Sequence, residues 1–194
     1  MKHRILLLVL SLFSLNSYGA VGQTYSQPSA TPVPTTSHAP ELELSFDIPS
    51  VTGTFAQSFN SGLGGSAVFY FPQLLDPSLH NFISVGFQTF AVKTDTSISF
   101  RVVPVLLGLE VRGRVYSDLK STLALAAGGS FGFLNIPNAT NLKVGGYFTA
   151  QVKPGLEWDM SNDFALVGRM PLTFIMASTY MSYIAGELGV RMRF

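Results

Sequence analysis

The ionisable side chains that could do chemistry stand at even spacings inside apolar stretches: Glu43 and Asp47; Glu110, Arg112 and Arg114; Lys153 and Glu157; Arg169; Glu187 and Arg191. Even spacing puts residues on one face of an extended strand, because side chains alternate from side to side. Acids and bases on one face, with apolar residues on the other, suit a mixed-sign ion-pair network. Charges taken out of water must be paired or hydrated, since an isolated buried charge is very costly. The same residues left unpaired along an axis would line a path for ions. Catalysis fits poorly. A nucleophile needs a base within hydrogen-bond reach. The chain has three histidines, of which His3 is at the extreme N-terminus, His38 in a Pro-rich stretch and His80 in a turn. No cysteine is present to hold a metal. Gly62 to Gly65 and Gly128-Gly129 lack the strand–loop–helix setting of a phosphate loop. We expect no enzyme activity, no cofactor and no metal.

Eight segments with strand periodicity are needed to position those charges. They are Glu41–Ile48, Gly62–Phe71, Asn81–Val92, Ser97–Val115, Ser121–Phe133, Leu142–Asp159, Phe164–Phe174 and Ser182–Phe194. In the last, Ile184, Leu188, Val190, Met192 and Phe194 share one face, while Tyr183, Glu187, Arg191 and Arg193 share the other. Most segments reach the roughly 9–11 residues that a tilted strand needs to cross a bilayer; the first looks short. Pro104, Pro154 and Pro171 each remove a ladder donor, so bulges are expected there. Aromatic girdles are expected at both strand ends. Phe71, Phe82, Tyr116, Trp158, Phe164 and Phe194 would form one. Phe90, Phe100, Phe133, Tyr147, Phe174, Tyr180 and Tyr183 would form the other.

The N-terminus points the same way. Lys2, His3 and Arg4 precede an apolar run from Ile5 to Leu15, followed by small and polar residues up to Ala20. This pattern is a secretory signal peptide over residues 1–20, too short for a spanning helix. Val21 to Pro40 is rich in Pro, Ser and Thr and carries no Asp, Glu, Lys or Arg. It reads as a disordered linker over residues 21–40. Removing residues 1–20 leaves 10 basic against 11 acidic side chains, so nucleic acid is not an expected partner. Charged residues make up 12% of the chain, about half the usual share for a soluble domain. An apolar chain without helical spans leaves the closed barrel as the other membrane solution. A soluble β-sandwich or lipocalin-like barrel would leave the apolar outer faces unexplained.

From Glu41 to Phe194 the chain resembles the small bacterial outer-membrane β-barrel superfamily, which includes OmpX-like, OmpW-like and OmpA N-terminal barrels. The closing GELGVRMRF, the alternating strands and VPVLLGLEV followed by LALAAGGSFGF carry the likeness. It implies an all-β, eight-stranded antiparallel up-and-down transmembrane barrel over residues 41–194, located in the bacterial outer membrane. It also implies a monomer among outer-membrane lipids, delivered by periplasmic chaperones to the barrel-assembly machinery. Leu188, Val190, Met192 and Phe194 would be the assembly signal. The expected role is structural or surface-interacting, with the lumen plugged by the charge network; a narrow channel for ions or small apolar molecules is the alternative. The leader can be checked directly. Protein recovered from the cell envelope should begin near Val21 on N-terminal sequencing, and an intact Met1 would count against it.

Overall fold

The computed structural model describes residues 40–71, 78–136, 143–176 and 180–194. The expected leader and nearly all of the linker lie outside them. Among the described residues the strands are β1 (Glu41–Thr52), β2 (Phe59–Phe71), β3 (Leu79–Val92), β4 (Ser99–Arg114), β5 (Leu119–Asn135), β6 (Lys143–Asp159), β7 (Phe164–Arg169), β8 (Leu172–Met176) and β9 (Met181–Arg193). Each strand pairs antiparallel with its neighbours, and β1 closes on β9 from Glu41↔Arg193 to Thr52↔Ser182. β7 and β8 both lie between β6 and β9 in one unbroken register, so they are two halves of a single stave. The result is a closed eight-stave antiparallel barrel.

The expected bulges at the prolines do not occur. The β4–β5 register runs straight through Pro104↔Ser130, and the β5–β6 register through Leu123↔Pro154. Proline lacks a donor but keeps its carbonyl. Pro154 O accepts from Met170 N at 2.9 Å, and Pro171 O accepts from Ala185 N at 2.9 Å. The lost donors show as gaps in pairing rather than as register shifts: one between Val85↔Val105 and Gln88↔Val102, another at the β7/β8 break. Among the described residues the one shift lies between Phe59 and Gly62. β1 is longer than expected, since its β9 ladder continues through Pro49 to Thr52 after the β2 ladder has ended at Asp47.

Among the described residues, two hairpins close the end that holds Glu41. Residues 115–118 form one, with Val115 N donating to Leu119 O at 2.8 Å. In the other, Ser161 Oγ accepts from Asp163 N at 3.3 Å and Phe164 N at 3.1 Å, the side-chain-to-backbone bonding that favours serine in turns. We call this the turn end. At the opposite loop end, Gly53 (φ +69°) turns β1 into a short 3-10 helix, Gly53–Gln57. Lys93 Nζ donates to Ala56 O at 2.6 Å and pins that helix to the β3–β4 loop. In the same loop the Ser97 hydroxyl and N–H both donate to Asp95 Oδ1, at 2.6 and 3.0 Å. These bonds hold the Asp95 carboxyl below the usual carboxylate range.

The two faces divide as the alternation demands. Leu44, Phe46, Leu63, Leu107, Leu125, Phe148, Leu156 and Leu188 are all exposed on the outer wall. The girdle expectation needs correction. Trp158, Phe164, Tyr116 and Phe194 are exposed at the turn end, as are Phe174 and Tyr180 at the loop end. Phe82, Phe90 and Tyr183 are instead buried in the lumen, and Phe100 and Tyr147 pack against the buried cluster. Height along a strand says where an aromatic sits, but parity decides which side it faces.

Glycine on the inner face makes room for the large rings. A Cβ at Gly108 would overlap the Phe82 ring and stand 2.5 Å from Leu125 O, whereas one at Gly129 would meet nothing within 4 Å. Gly108→Val should therefore abolish the heat-modifiable gel shift of the folded barrel, and Gly129→Val should preserve it.

Candidate functional site

Tyr70 of β2 stands at the centre of the turn-end half of the lumen. A buried hydroxyl must find partners. This one accepts from Arg169 Nη2 at 2.9 Å and Arg191 Nη2 at 2.7 Å. Its single proton goes to Glu110 Oε2 at 3.0 Å or Glu43 Oε2 at 3.2 Å. The guanidinium groups of Arg191 and Arg112 lie over its ring, 4.4 and 5.1 Å from the centroid, within cation–π range.

Around it the carboxylates and guanidinium groups interleave. Arg169 bridges Glu43 and Glu110 and reaches Glu187 at 3.3 Å. Arg191 pairs with Glu43 at 2.7 Å, with Glu110 at 3.0 Å and with Glu157. Arg112 forks onto Glu41 at 2.6 and 3.0 Å and donates through Nε to Glu110 at 2.7 Å. At the mouth, Arg193 binds Glu157 and Asp159, and Lys120 joins them at 3.2 and 2.7 Å. Lys153 reaches Glu187 at 3.4 Å nearer the middle. Glu43, Glu110, Glu157 and Arg191 are fully buried. Charges so deeply placed are tolerable because each has several charged partners and bonds.

Two residues expected in this network stand apart. Arg114 is exposed at the end of β4 and has no ion-pair partner among the described residues. Asp47 faces the lumen but has no cationic partner among them; Gln88 Nε2 donates to its Oδ2 at 3.0 Å, while Oδ1 has no partner. Sequence reasoning also left residues out. Glu41, Asp159 and Arg193 have inward parity, but strand ends can equally lie among headgroups. Lys120 falls just outside the expected segment Ser121–Phe133, whereas β5 already begins at Leu119. Tyr70 carries no charge to draw notice. His38 lies outside the described residues, and His80 sits at the turn end of β3 opposite Glu110 in register.

The lumen changes character along its length. Midway, Gln88 accepts from the Tyr183 hydroxyl, Gln151 donates to Thr173 at 2.8 Å, and the Ser130 and Thr149 hydroxyls bond each other. Toward the loop end the filling is apolar: Phe90, Val102, Ile175, Met181 and Tyr183 are buried together, with Val51, Phe55, Phe59, Phe100 and Tyr147 against them. Phe55 and Phe59 stack at 5.8 Å. The charge network is thus only half of the filling.

A closed barrel with an apolar outer wall and a side-chain-filled lumen is a transmembrane β-barrel of the smallest common size. Its fold is that of small bacterial outer-membrane proteins. Neisserial surface protein A superposes with a TM-score of 0.64 at 11% identity, covering 80% of this chain and 97% of that one. Ail, the attachment invasion locus protein of Yersinia pestis, gives 0.55 at 11% identity over 82% and 100% of the two chains. A major outer membrane protein from Thermus thermophilus gives 0.52 at 13% identity over 81% and 100%. No family model matches the chain, and no curated protein matches it either.

Breaking the network should be expensive. Arg191→Met strips a partner from Glu43, Glu110 and Glu157 and should lower stability by about 3–5 kcal/mol in urea unfolding from lipid vesicles. Lys120→Met, at the partly exposed mouth, should cost less than about 1 kcal/mol.

Proposed function

We propose that this is an integral protein of the bacterial outer membrane whose barrel is a sealed scaffold, with a structural or surface-interaction role. One observation carries the reading: the lumen is filled from both halves, with Arg191, Glu43 and Glu110 at 0% exposure toward the turn end and Phe90 and Val102 at 0% toward the loop end. A path for ions would need both seals to open. The apolar outer wall supports lipid as the solvent outside. The names of the similar proteins, a surface protein and an attachment protein, support a role at the cell surface. Fold likeness alone does not carry a function across. In this reading the protein works as a monomer among outer-membrane lipids. Periplasmic chaperones escort it, and the assembly machinery reads the outward face of Leu188, Val190, Met192 and Phe194.

Planar-bilayer recording tests the seal. The refolded wild type should pass no steady current. Arg169→Ala should pass none either, because the aromatic layer remains closed above it. A steady wild-type current would replace this reading with that of a narrow channel.

A further inference from the structure

The outward-facing positions of the described strands carry a single charged residue, Arg101 of β4. Its parity is that of Val103, Val105, Leu107, Leu109 and Val111, all on the outer wall. The registers of β3, β4 and β5 set this wall out in rows. Thr89, Arg101 and Phe133 lie side by side in one. The row nearer the loop end is Ala91, Ser99 and Asn135. Toward the turn end come Val103 and Phe131, with Phe87 at the same height in the gap of the β3–β4 ladder, and then Val85, Val105 and Gly129. Over three adjacent staves the surface therefore passes from hydroxyl, amide and guanidinium groups, through exposed phenyl rings, to aliphatic side chains. That is the order of a lipid read from headgroup to acyl chain.

The height agrees. From Arg101 to Val111 the strand runs ~34 Å, or ~26 Å across the membrane at a tilt of about 40°. An outer-membrane barrel carries an apolar band about 25 Å tall. Arg101 therefore stands at the margin of the hydrocarbon on the loop end, where a side chain of its length can carry the guanidinium to the headgroups. A guanidinium binds phosphate oxygens through paired, charge-assisted bonds. The neighbouring Thr89 and Ser99 hydroxyls and the Asn135 amide supply neutral donors. Phe87 and Phe131, both about half exposed, give the acyl chains a surface to lie on.

Bacterial barrels keep their short turns in the periplasm, so the loop end meets the outer leaflet, and we propose that the β3–β4–β5 wall is a docking surface for one phosphorylated lipid of that leaflet, with Arg101 on the phosphate and Phe87, Val103 and Phe131 against the chains. The proposal rests on the outer-membrane reading above. It extends that reading by assigning a partner class to one wall, where the other staves show no outward charge among the described residues.

Native mass spectrometry of the protein purified from the membrane in which it assembles tests this. The probes are diphosphorylated lipid A and the same lipid with both phosphates removed. The wild type should retain one diphosphorylated molecule and bind the dephosphorylated form about tenfold more weakly. Arg101→Gln should lose about tenfold in affinity for the diphosphorylated form alone. Arg114→Gln, which removes a base at the opposite end, should bind like the wild type. Equal binding by Arg101→Gln and wild type, or an equal loss in Arg114→Gln, would overturn the proposal. Circular dichroism and the heat-modifiable gel shift on each variant show that the barrel is intact. Fractionation outside the outer membrane would instead sink the localisation on which the proposal rests.

Discussion

A backbone polar group left without a partner in hydrocarbon costs several kcal/mol, so every N–H and C=O on the outer wall has to be bonded within the chain. The β1–β9 ladder meets that demand by removing the last sheet edge. The rest follows from closure. Strands that bond on both sides have only two directions left for side chains, toward lipid and toward the lumen. An eight-stave lumen is narrow enough that whatever points inward must pack against itself. Even the prolines obey the constraint. Pro104 and Pro154 sit in mid-strand without shifting the register, because their carbonyls remain available and the missing donors are absorbed as local gaps in the ladder.

The filling of the lumen solves the same problem in two ways. At the loop end, rings and aliphatic groups pack as in a soluble core. At the turn end, charges are buried, which apolar packing would do more cheaply. Tyr70 makes the charged solution workable. Its hydroxyl accepts from two arginines and donates to a carboxylate, and its ring lies beneath two guanidinium groups. The network also ties β1, β2, β4, β6, β7 and β9 together across the barrel, where the backbone ladders join only neighbours. Mixed-sign residues drawn from so many staves favour one closure register over its slipped alternatives. A shift by one residue would turn Arg191 and Glu187 toward lipid.

The outer wall is where this barrel has room to be particular. Similar folds serve unrelated purposes, so the architecture does not name a partner. A lumen that buries charges toward the turn end and rings toward the loop end moves attention to the surfaces, and the described outer wall is featureless in charge except at Arg101.

The barrel itself was legible in the residues. Period-two alternation from Glu41 to Phe194 sorts lipid-facing from lumen-facing side chains, and that alternation is local: a strand carries it whatever its neighbours. Arg169, Arg191, Glu43 and Glu110 were therefore identifiable as inward residues one at a time. Which of them meet was decided by the tertiary structure, because partners such as Arg169 and Glu43 stand on different staves and touch only through the closed lumen. The same holds for Asp47, which faces inward and forms no ion pair among the described residues, and for Arg114, whose exposure depends on where β4 leaves the wall. Phe82, Phe90 and Tyr183 show the limit most plainly. Their positions near strand ends read as girdle, but parity turns all three into the closed lumen, where Gly108 leaves room for Phe82 and Gly62 for Phe90. Side-chain direction along one strand is a property of sequence; contact across a lumen is a property of closure.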